Sequence, residues 1–291
     1  MKPERLYYGG ERGRPLILFI HGMGMDAGIW SKPAEARVLG GLYPLGVLFN
    51  NACDGMITSF ADLKERGYPV LAWSQSRPAG PVEAAVEELS ALVDEYKDHS
   101  SEGIILIGHS RGGLVARKYL EGESAGIRGI MTLASPHRGT SLARLAGYAA
   151  PAAALLDRVL ENYTKKDLSV ALQRVCRFLG SRGLKELLPG SPFLEALSPV
   201  KRTGVRYFSA GGTDPDMFRI RSFSLSEFAA KIVPSKLLPD ELRRGLGDGL
   251  VAAASAVMPQ AEEHRDFAVH HVSILFDREV RDYVADSVET I

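Results

Sequence analysis

The residue whose type and sequence context most clearly suit catalysis is Ser110, within the segment Gly108-His109-Ser110-Arg111-Gly112. An apolar, β-branched run over 103–107 precedes it and predicts a buried parallel strand, and a run with helical spacing over 113–120 follows. A serine between such elements lies on a sharp turn that lifts its hydroxyl above the carboxyl edge of the sheet. The flanking glycines, Gly108 and Gly112, are predicted to avoid collisions with the neighbouring strand and helix. The pattern indicates a nucleophilic serine, and an ordinary Gly/Ser turn is the alternative interpretation.

A nucleophilic serine requires an orienting acid, because serine reacts poorly without a base that the acid holds in place. In a doubly wound sheet the order Ser, Asp, His places all three on loops at the carboxyl edge. The best acid candidate is Asp248, whose flanking glycines permit a tight turn before the apolar run 250–257. A common Asp-Gly turn is the alternative interpretation. Asp214, Asp216 and Asp240 are rival acids.

The candidate base is one of two adjacent histidines, His270 and His271. They lie between a short apolar stretch, 267–269, and the terminal helix, where the last loop of such a sheet is expected. His271 is preferred because the small and apolar residues after it suit a loop that packs back onto the site.

Backbone N–H groups that could bind an oxyanion are predicted in the segment His21-Gly22-Met23-Gly24, directly after a first apolar strand over 16–20. Acyl transfer needs such donors, and we expect them to be the amides of Met23 and Arg111, with His21 and Gly22 as supporting residues. A glycine-rich turn after a strand is the alternative interpretation.

Cofactor and metal motifs are missing from the sequence. It has no G-x-x-x-x-G-K-[ST] pattern and no G-x-G-x-x-G pattern that opens a helix after a strand, and these are the glycine-rich patterns that bind phosphates. It also lacks the metal-ligand spacings H-E-x-x-H and C-x-x-C. Cys53 and Cys176 are far apart, which excludes a disulfide framework or a metal cluster. We expect no cofactor, no metal and two reduced core cysteines, although a Cys53–Cys176 pair stays open.

The elements that position these residues alternate between strand-like and helix-like runs from residue 16 to about 135. This alternation predicts an α/β fold with a doubly wound, mostly parallel sheet. Residues 141–200 then show helical periodicity without a clear strand, a strand resumes at 205–209, an irregular insertion covers 214–245, and 277–288 reads as a closing helix. We therefore expect a single domain over 1–291 that carries a helical cap or lid insertion over 141–204.

Composition excludes some function classes. Among 291 residues the formal net charge is zero, which argues against nucleic-acid binding because phosphates require a basic surface. No N-terminal apolar region resembles a signal peptide, and no run approaches the length of a membrane span. The sequence predicts a cytoplasmic protein, and a chain trimmed of a leader would look the same.

Together these segments resemble the α/β-hydrolase fold and, within it, bacterial lipases and related esterases. The combination, in this order along the chain, is more specific than any single motif. The matching segments are His21-Gly22-Met23, the nucleophile motif 108–113, Thr132-Leu133-Ala134-Ser135-Pro136-His137-Arg138-Gly139-Thr140, Gly247-Asp248-Gly249-Leu250-Val251, and His271-Val272-Ser273-Ile274-Leu275. Secreted lipases of this kind carry a leader, and some carry a disulfide or a calcium site near the acid, none of which can be assigned here.

The resemblance implies a serine carboxylic-ester hydrolase that acts on a small-molecule or lipid ester through an acyl-enzyme. Ser110 would be the nucleophile, His271 the base and Asp248 the acid. Residues 141–200 would make transient contact with a lipid interface. A lipid acyltransferase, a deacylase or an amidase would use the same triad, and a non-catalytic binding protein is the alternative of a different class. Chain-length preference and oligomeric state stay open.

Overall fold

The structure is a computed structural model, and it describes only part of the chain. The described residues are 4–38, 43–44, 56–122, 125–141, 181–220, 223–224, 226–227, 234, 236 and 238–291. Cys53, Cys176 and residues 142–180 of the expected insertion lie outside these ranges. The predictions for Cys53, Cys176 and residues 142–180 therefore stay predictions.

A seven-stranded sheet forms the centre of the molecule. Its strand order is β1-β3-β2-β4-β5-β6-β7, and all neighbours are parallel except β1, which runs antiparallel to β3. The strands are β1 (Arg5–Tyr8), β2 (Leu16–Ile20), β3 (Val70–Trp73), β4 (Ile104–His109), β5 (Ile127–Leu133), β6 (Arg206–Gly212) and β7 (Glu263–Phe267).

Eight α-helices accompany the sheet within the described ranges. They are α1 (Gly28–Ser31), α2 (Ser59–Glu65), α3 (Val82–Tyr96), α4 (Arg111–Gly122), α5 (Arg182–Glu186), α6 (Pro192–Ala196), α7 (Ala253–Ala256) and α8 (Arg278–Thr290). Short 3-10 turns cover Lys97–His99, Asp216–Phe218, Asp240–Leu242 and Ser273–Leu275, and two-residue strands pair Arg37–Val38 with Tyr43–Pro44 and Arg219–Ile220 with Phe223–Ser224.

Two apolar layers cover the two faces of the sheet, because successive strand residues point to opposite sides. Along β2, Ile17 and Phe19 pack with α1, α2 and α8, whereas Leu16, Leu18 and Ile20 pack with α3 and α4. All five residues are fully buried. At about 1.5–3 kcal/mol for each fully buried large apolar side chain, these layers supply the main driving force for folding.

The α/β fold with a doubly wound, mostly parallel sheet is confirmed, and two edge strands were not foreseen. β1 precedes the predicted alternation, and β7 has the sequence Glu-His-Arg-Asp-Phe, which lacks the apolar character used to find the other strands. The described part of the expected insertion, 181–204, contains α5 and α6.

Parallel strands bring their carboxyl ends to one edge of the sheet, and the six loops that follow β2 to β7 begin there. Four carry the residues singled out above: 21–24 after β2, Ser110 after β4, Asp248 after β6 and His271 after β7. The loop after β3 carries Gln75, which sequence reasoning did not select, and the loop after β5 carries His137.

Candidate active site

Ser110 lies between β4 and α4 in the left-handed region of backbone space, with φ of 54°. A non-glycine residue adopts this conformation only at an energetic cost, and such strain is typical of functional turns. The Ser110 N–H donates to Leu133 O over 2.8 Å, which ties the turn to the adjacent strand β5.

The glycines beside Ser110 are needed for close backbone packing. A Cβ on Gly112 would lie 2.3 Å from Ile20 O, and a Cβ on Gly108 would lie 2.5 Å from the Gly112 carbonyl carbon. Both contacts are with backbone atoms, so no side-chain rotation relieves them. This part of the nucleophile-turn prediction therefore agrees with the geometry.

Three of the predicted residues form one hydrogen-bonded chain. His271 Nε2 lies 3.0 Å from Ser110 Oγ, and His271 Nδ1 lies 2.8 Å from Asp248 Oδ2. Because a carboxylate only accepts, Nδ1 carries the proton and Nε2 accepts from the serine hydroxyl. This is the tautomer in which an imidazole can remove the hydroxyl proton.

Asp248 is held by the turn in which it lies. Its Oδ1 accepts from the N–H groups of Leu250, at 2.9 Å, and Val251, at 2.7 Å, and this leaves Oδ2 directed at His271. The His271 N–H also donates to Asp248 O over 2.9 Å, so the acid and base loops are joined through their backbones as well. Asp248 is 1% exposed.

The rival acids have other partners. Asp214 and Asp216 both pair with Arg244, and Asp240 pairs with Arg243. The structure therefore brings Asp248, rather than these three, to His271.

The neighbouring histidine, His270, has a local role. Its Nδ1 accepts from the N–H groups of Val272, at 3.3 Å, and Ser273, at 3.2 Å. These bonds stabilise the turn after it, so the preference for His271 agrees with the geometry.

The backbone N–H groups of Met23 and Arg111 donate to no acceptor among the described residues. A Cβ on Gly22 would lie 3.1 Å from Ser110 Cβ and 2.9 Å from His109 Nδ1, so the 21–24 loop passes directly beside Ser110. Two unpaired donors on loops that meet at a serine are suitable for binding a developing oxyanion.

His21 supports this loop from inside the protein. Its Nδ1 lies 2.8 Å from Gly22 O, and its Nε2 lies 3.0 Å from the Gln75 N–H. Since an N–H can only donate, Nε2 accepts and Nδ1 donates. Burial lowers the pKa of His21 to about 4, so the ring is neutral near pH 7.

His109, the residue before Ser110, also contributes a contact that sequence reasoning missed. Its Nε2 lies 2.9 Å from His271 O, which links the nucleophile turn to the base loop. Burial, aided by the nearby His271, lowers the pKa of His109 to about 3. Its place within the serine motif was the available signal, but motif spacing does not indicate which way the ring points.

A second hydroxyl–imidazole–carboxylate chain lies in the sheet, on β6 and β7. His264 Nδ1 lies 2.8 Å from Ser209 Oγ, and His264 Nε2 lies 3.1 Å from Asp266 Oδ1. Ser209 is completely buried in the middle of β6 and follows ordinary strand geometry, so no substrate reaches it. This chain therefore joins two strands and provides a natural control for the first.

Metal and membrane features were searched over the described residues only. Within those ranges, no group of three or more His, Cys, Asp or Glu side chains is arranged to hold a metal ion. In the same part of the chain, no helix combines the length and the apolar character needed to cross a membrane.

Comparisons with known proteins concern the family and the fold. A sequence profile of the alpha/beta hydrolase family matches residues 17–285, whereas no curated protein matches the chain by sequence.

Several solved structures share the fold. The lipase BlEst2 of Bacillus licheniformis, in its mature form, is similar with a TM-score of 0.61 and 16% identity over 98% of both chains. The enol-lactonase from Burkholderia xenovorans LB400 has a TM-score of 0.53 and 14% identity over 99% of this chain and 97% of its own. A lipase-esterase related protein from Clostridium acetobutylicum has a TM-score of 0.53 and 11% identity over 100% of this chain and 99% of its own. At such identities the likeness extends to the fold.

Proposed function

The chain belongs to the alpha/beta hydrolase family, and from that membership and the geometry of the site we propose that it is a serine carboxylic-ester hydrolase. The observation that carries the proposal is the continuous chain from Ser110 Oγ through His271 to Asp248, with atom separations of 3.0 and 2.8 Å. Both distances lie in the range that proton transfer requires.

In the first half-reaction, Ser110 Oγ attacks the ester carbonyl carbon while its proton moves to His271 Nε2. Asp248 stabilises the imidazolium that forms, and the amides of Met23 and Arg111 bind the oxyanion. The carbon–oxygen bond to the alcohol then breaks, and His271 returns the proton to that alcohol. The acyl group remains on Ser110.

In the second half-reaction, water replaces the alcohol. His271 takes a proton from the water, whose oxygen attacks the acyl carbon, and Ser110 leaves with that proton when the second tetrahedral intermediate collapses. The carboxylic acid is released and the serine is regenerated.

An apolar acyl ester is the substrate class that the surroundings favour. The side chain of Met23 packs against Leu114 of α4 and against Leu187 and Leu197, which lie in the described part of the insertion. Of the structural neighbours, one is described as a lipase and another as an enol-lactonase. We propose a lipase or esterase whose insertion over 141–204 serves as a helical cap that contacts lipid transiently.

The described ends of this insertion are held by the hydrolase core. Ser141 donates through its N–H and its hydroxyl to the buried carboxylate of Glu241, at 2.6 and 2.8 Å. At the other end, Arg117 of α4 donates to Leu197 O and Ser198 O.

The test is hydrolysis of p-nitrophenyl esters from acetyl to palmitoyl by the wild-type chain, Ser110→Ala and Ser209→Ala. Turnover should disappear in Ser110→Ala and persist in Ser209→Ala, because only Ser110 contacts the triad histidine. A maximum on long chains, with a rise in rate above the solubility limit of the ester, supports the lipase assignment. A maximum on short chains indicates a carboxylesterase.

Turnover that survives in Ser110→Ala would contradict the proposed nucleophile. Faster cleavage of a matched amide would reassign the protein as an amidase, and preferential transfer to added alcohols would reassign it as an acyltransferase. If a fluorophosphonate fails to label Ser110, a non-catalytic role is favoured.

A further inference from the structure

Gln75 follows β3 and is buried, and it contacts two loops of the site at once. Its backbone N–H donates to His21 Nε2 over 3.0 Å, and its side-chain Nε2 donates to His21 O over 3.2 Å. Its Oε1 accepts from Arg111 Nη1 over 2.5 Å. The side-chain amide therefore uses its acceptor on one loop and its donor on the other.

The two residues that Gln75 contacts belong to the segments that would supply the oxyanion donors. His21 lies two residues before Met23, and the ring of His21 also donates to Gly22 O. Arg111 supplies the other amide itself. Among the described residues, Gln75 is the one that hydrogen-bonds both His21 and the Arg111 guanidinium, so its side chain links the two segments directly.

The Arg111 side chain supports this interpretation. It is fully buried, and among the described residues its guanidinium hydrogen-bonds only neutral oxygens: Gln75 Oε1, Gly80 O and Pro81 O. Burial lowers the pKa of Arg111 to about 10, at which it is still a cation near pH 7. The carboxylates of Glu186 and Glu88 favour the cation from a distance, and the three hydrogen bonds fix the direction of the guanidinium, as a role in positioning requires.

We propose that Gln75 is a positioning residue that sets the separation of the Met23 and Arg111 amides, so that both point at the oxyanion. The proposal rests on the serine-hydrolase function proposed above. Gln75 touches no reacting atom and acts only through His21 and Arg111. Because oxyanion donors act in the transition state, its loss should lower kcat with little change in KM.

The experiment compares Gln75→Leu and Gln75→Glu with wild type and with Gln260→Leu. Gln75→Leu removes both side-chain bonds, whereas Gln75→Glu retains the acceptor for Arg111 and replaces the donor to His21 O. Gln260 is the matched control because it is also a buried glutamine that donates to a main-chain oxygen, Ser198 O, over 2.7 Å, and this bond involves neither the triad nor the two segments that would supply the oxyanion donors. If Gln75→Leu does not fold, Gln75→Glu decides the outcome, since it has the same size.

We expect kcat on p-nitrophenyl butyrate to fall about 10- to 100-fold in both Gln75 variants with KM within about twofold, because loss of one oxyanion donor costs about 100- to 1000-fold and a displaced donor costs less. The inhibition constant of a trifluoromethyl ketone, whose adduct carries an oxyanion, should rise in parallel. Gln260→Leu should lower the melting temperature but leave kcat unchanged.

Equal kcat in wild type and the Gln75 variants, or a loss no larger than in Gln260→Leu, overturns the positioning role while the hydrolase function stands. A rise in KM at constant kcat also overturns it. Ser110→Ala is measured alongside, because full activity in that variant, or no ester turnover by wild type, overturns the proposed function and this role with it.

Discussion

Within the described part of the chain, a carboxylate hydrogen-bonds an imidazole at two places, Asp248 with His271 and Asp266 with His264. The ring nitrogens are used in opposite order, since Asp248 faces Nδ1 and Asp266 faces Nε2. Asp248 is buried and its second oxygen binds two backbone N–H groups, whereas the Asp266 side chain is 44% exposed. The same three residue types therefore form the proposed triad in one place and a contact between strands in the other, with different surroundings.

The first prediction concerns Asp248→Asn. Because Leu250 and Val251 donate to Oδ1, the new amide group would turn its NH2 toward His271 Nδ1 and impose the tautomer whose Nε2 cannot accept the serine proton. We expect kcat to fall about 100- to 10,000-fold while the fold is retained. Steady-state kinetics with circular dichroism measures this, and Asp266→Asn should keep wild-type kcat. A loss of less than about tenfold in Asp248→Asn would contradict the assignment of the acid.

At the scale of the residue, sequence reasoning selected side chains that belong to a motif and passed over a side chain that is distinguished only by its contacts. Ser110 was identified from its flanking glycines, and Asp248 and His271 from their order along the chain. Gln75 has no motif, and its role depends on contacts with His21 and Arg111, which lie 54 and 36 residues away. Its place directly after a predicted strand was the one available signal, because polar residues at the carboxyl ends of parallel strands tend to lie near the site.

Helix α4 follows Ser110 directly. Glycines occupy its second and third positions, and most of its residues are buried. Gly112 approaches Ile20 O in β2, and a Cβ on Gly113 would lie 2.1 Å from Ser135 Oγ. These approaches let the helix begin directly above the sheet, so that the turn carrying Ser110 is short and strained. The glycines are thus determined by packing between elements rather than by helix propensity, which disfavours them.

A pair of variants in α4 tests this explanation. Gly112→Ala should destabilise the fold by about 3 kcal/mol, because a methyl group 2.3 Å from a backbone oxygen forces the helix off the sheet. Gly122→Ala, at the exposed end of the same helix, should stabilise by about 0.5 kcal/mol, since nothing lies within 4 Å of the new methyl group and alanine favours helix. Urea unfolding measures both, and equal effects in the two variants would refute the packing explanation.

At the scale of the element, the inner strands were predictable and the edge strands were not. β2, β3, β4 and β5 are apolar because both faces of a central parallel strand are covered. β7 lies at the edge, pairs only with β6, and has exposed residues at Arg265 and Asp266. An edge strand therefore lacks the apolar run by which a buried strand is recognised. For this reason β7 was not predicted, although it leads directly into the loop that carries His271.

Over the whole molecule, four histidines are buried at or beside the carboxyl edge of the sheet: His21, His109, His137 and His271. Burial lowers the pKa of His21 to about 4 and that of His109 to about 3, and it places the pKa of His137 well below its ordinary value of 6.5. His21 and His109 hydrogen-bond loops of the site, at Gly22 O and His271 O, and His137 hydrogen-bonds Thr132 Oγ1 of β5. Protonation of these rings is therefore coupled to both folding and the arrangement of the site.

The final prediction is a loss of stability in mild acid. In the unfolded chain His21 and His109 bind protons as the pH falls through about 6.5, whereas in the folded chain their pKa values are about 4 and about 3, so the unfolded state gains protons first. The stabilisation is fully present above pH 6.5, and the contribution of each of these two rings should fall by about 2 kcal/mol between pH 7 and pH 5, for a total of about 4 kcal/mol, to which His137 adds in the same direction. Urea unfolding at pH 7, 6 and 5 measures the loss, and an NMR titration of the folded chain should show that the His21 and His109 imidazoles remain neutral at pH 5. A free energy of unfolding that stays constant from pH 7 to 5 would contradict the burial of neutral rings, because a folded chain that took up these protons as readily as the unfolded one would have no linkage to pH.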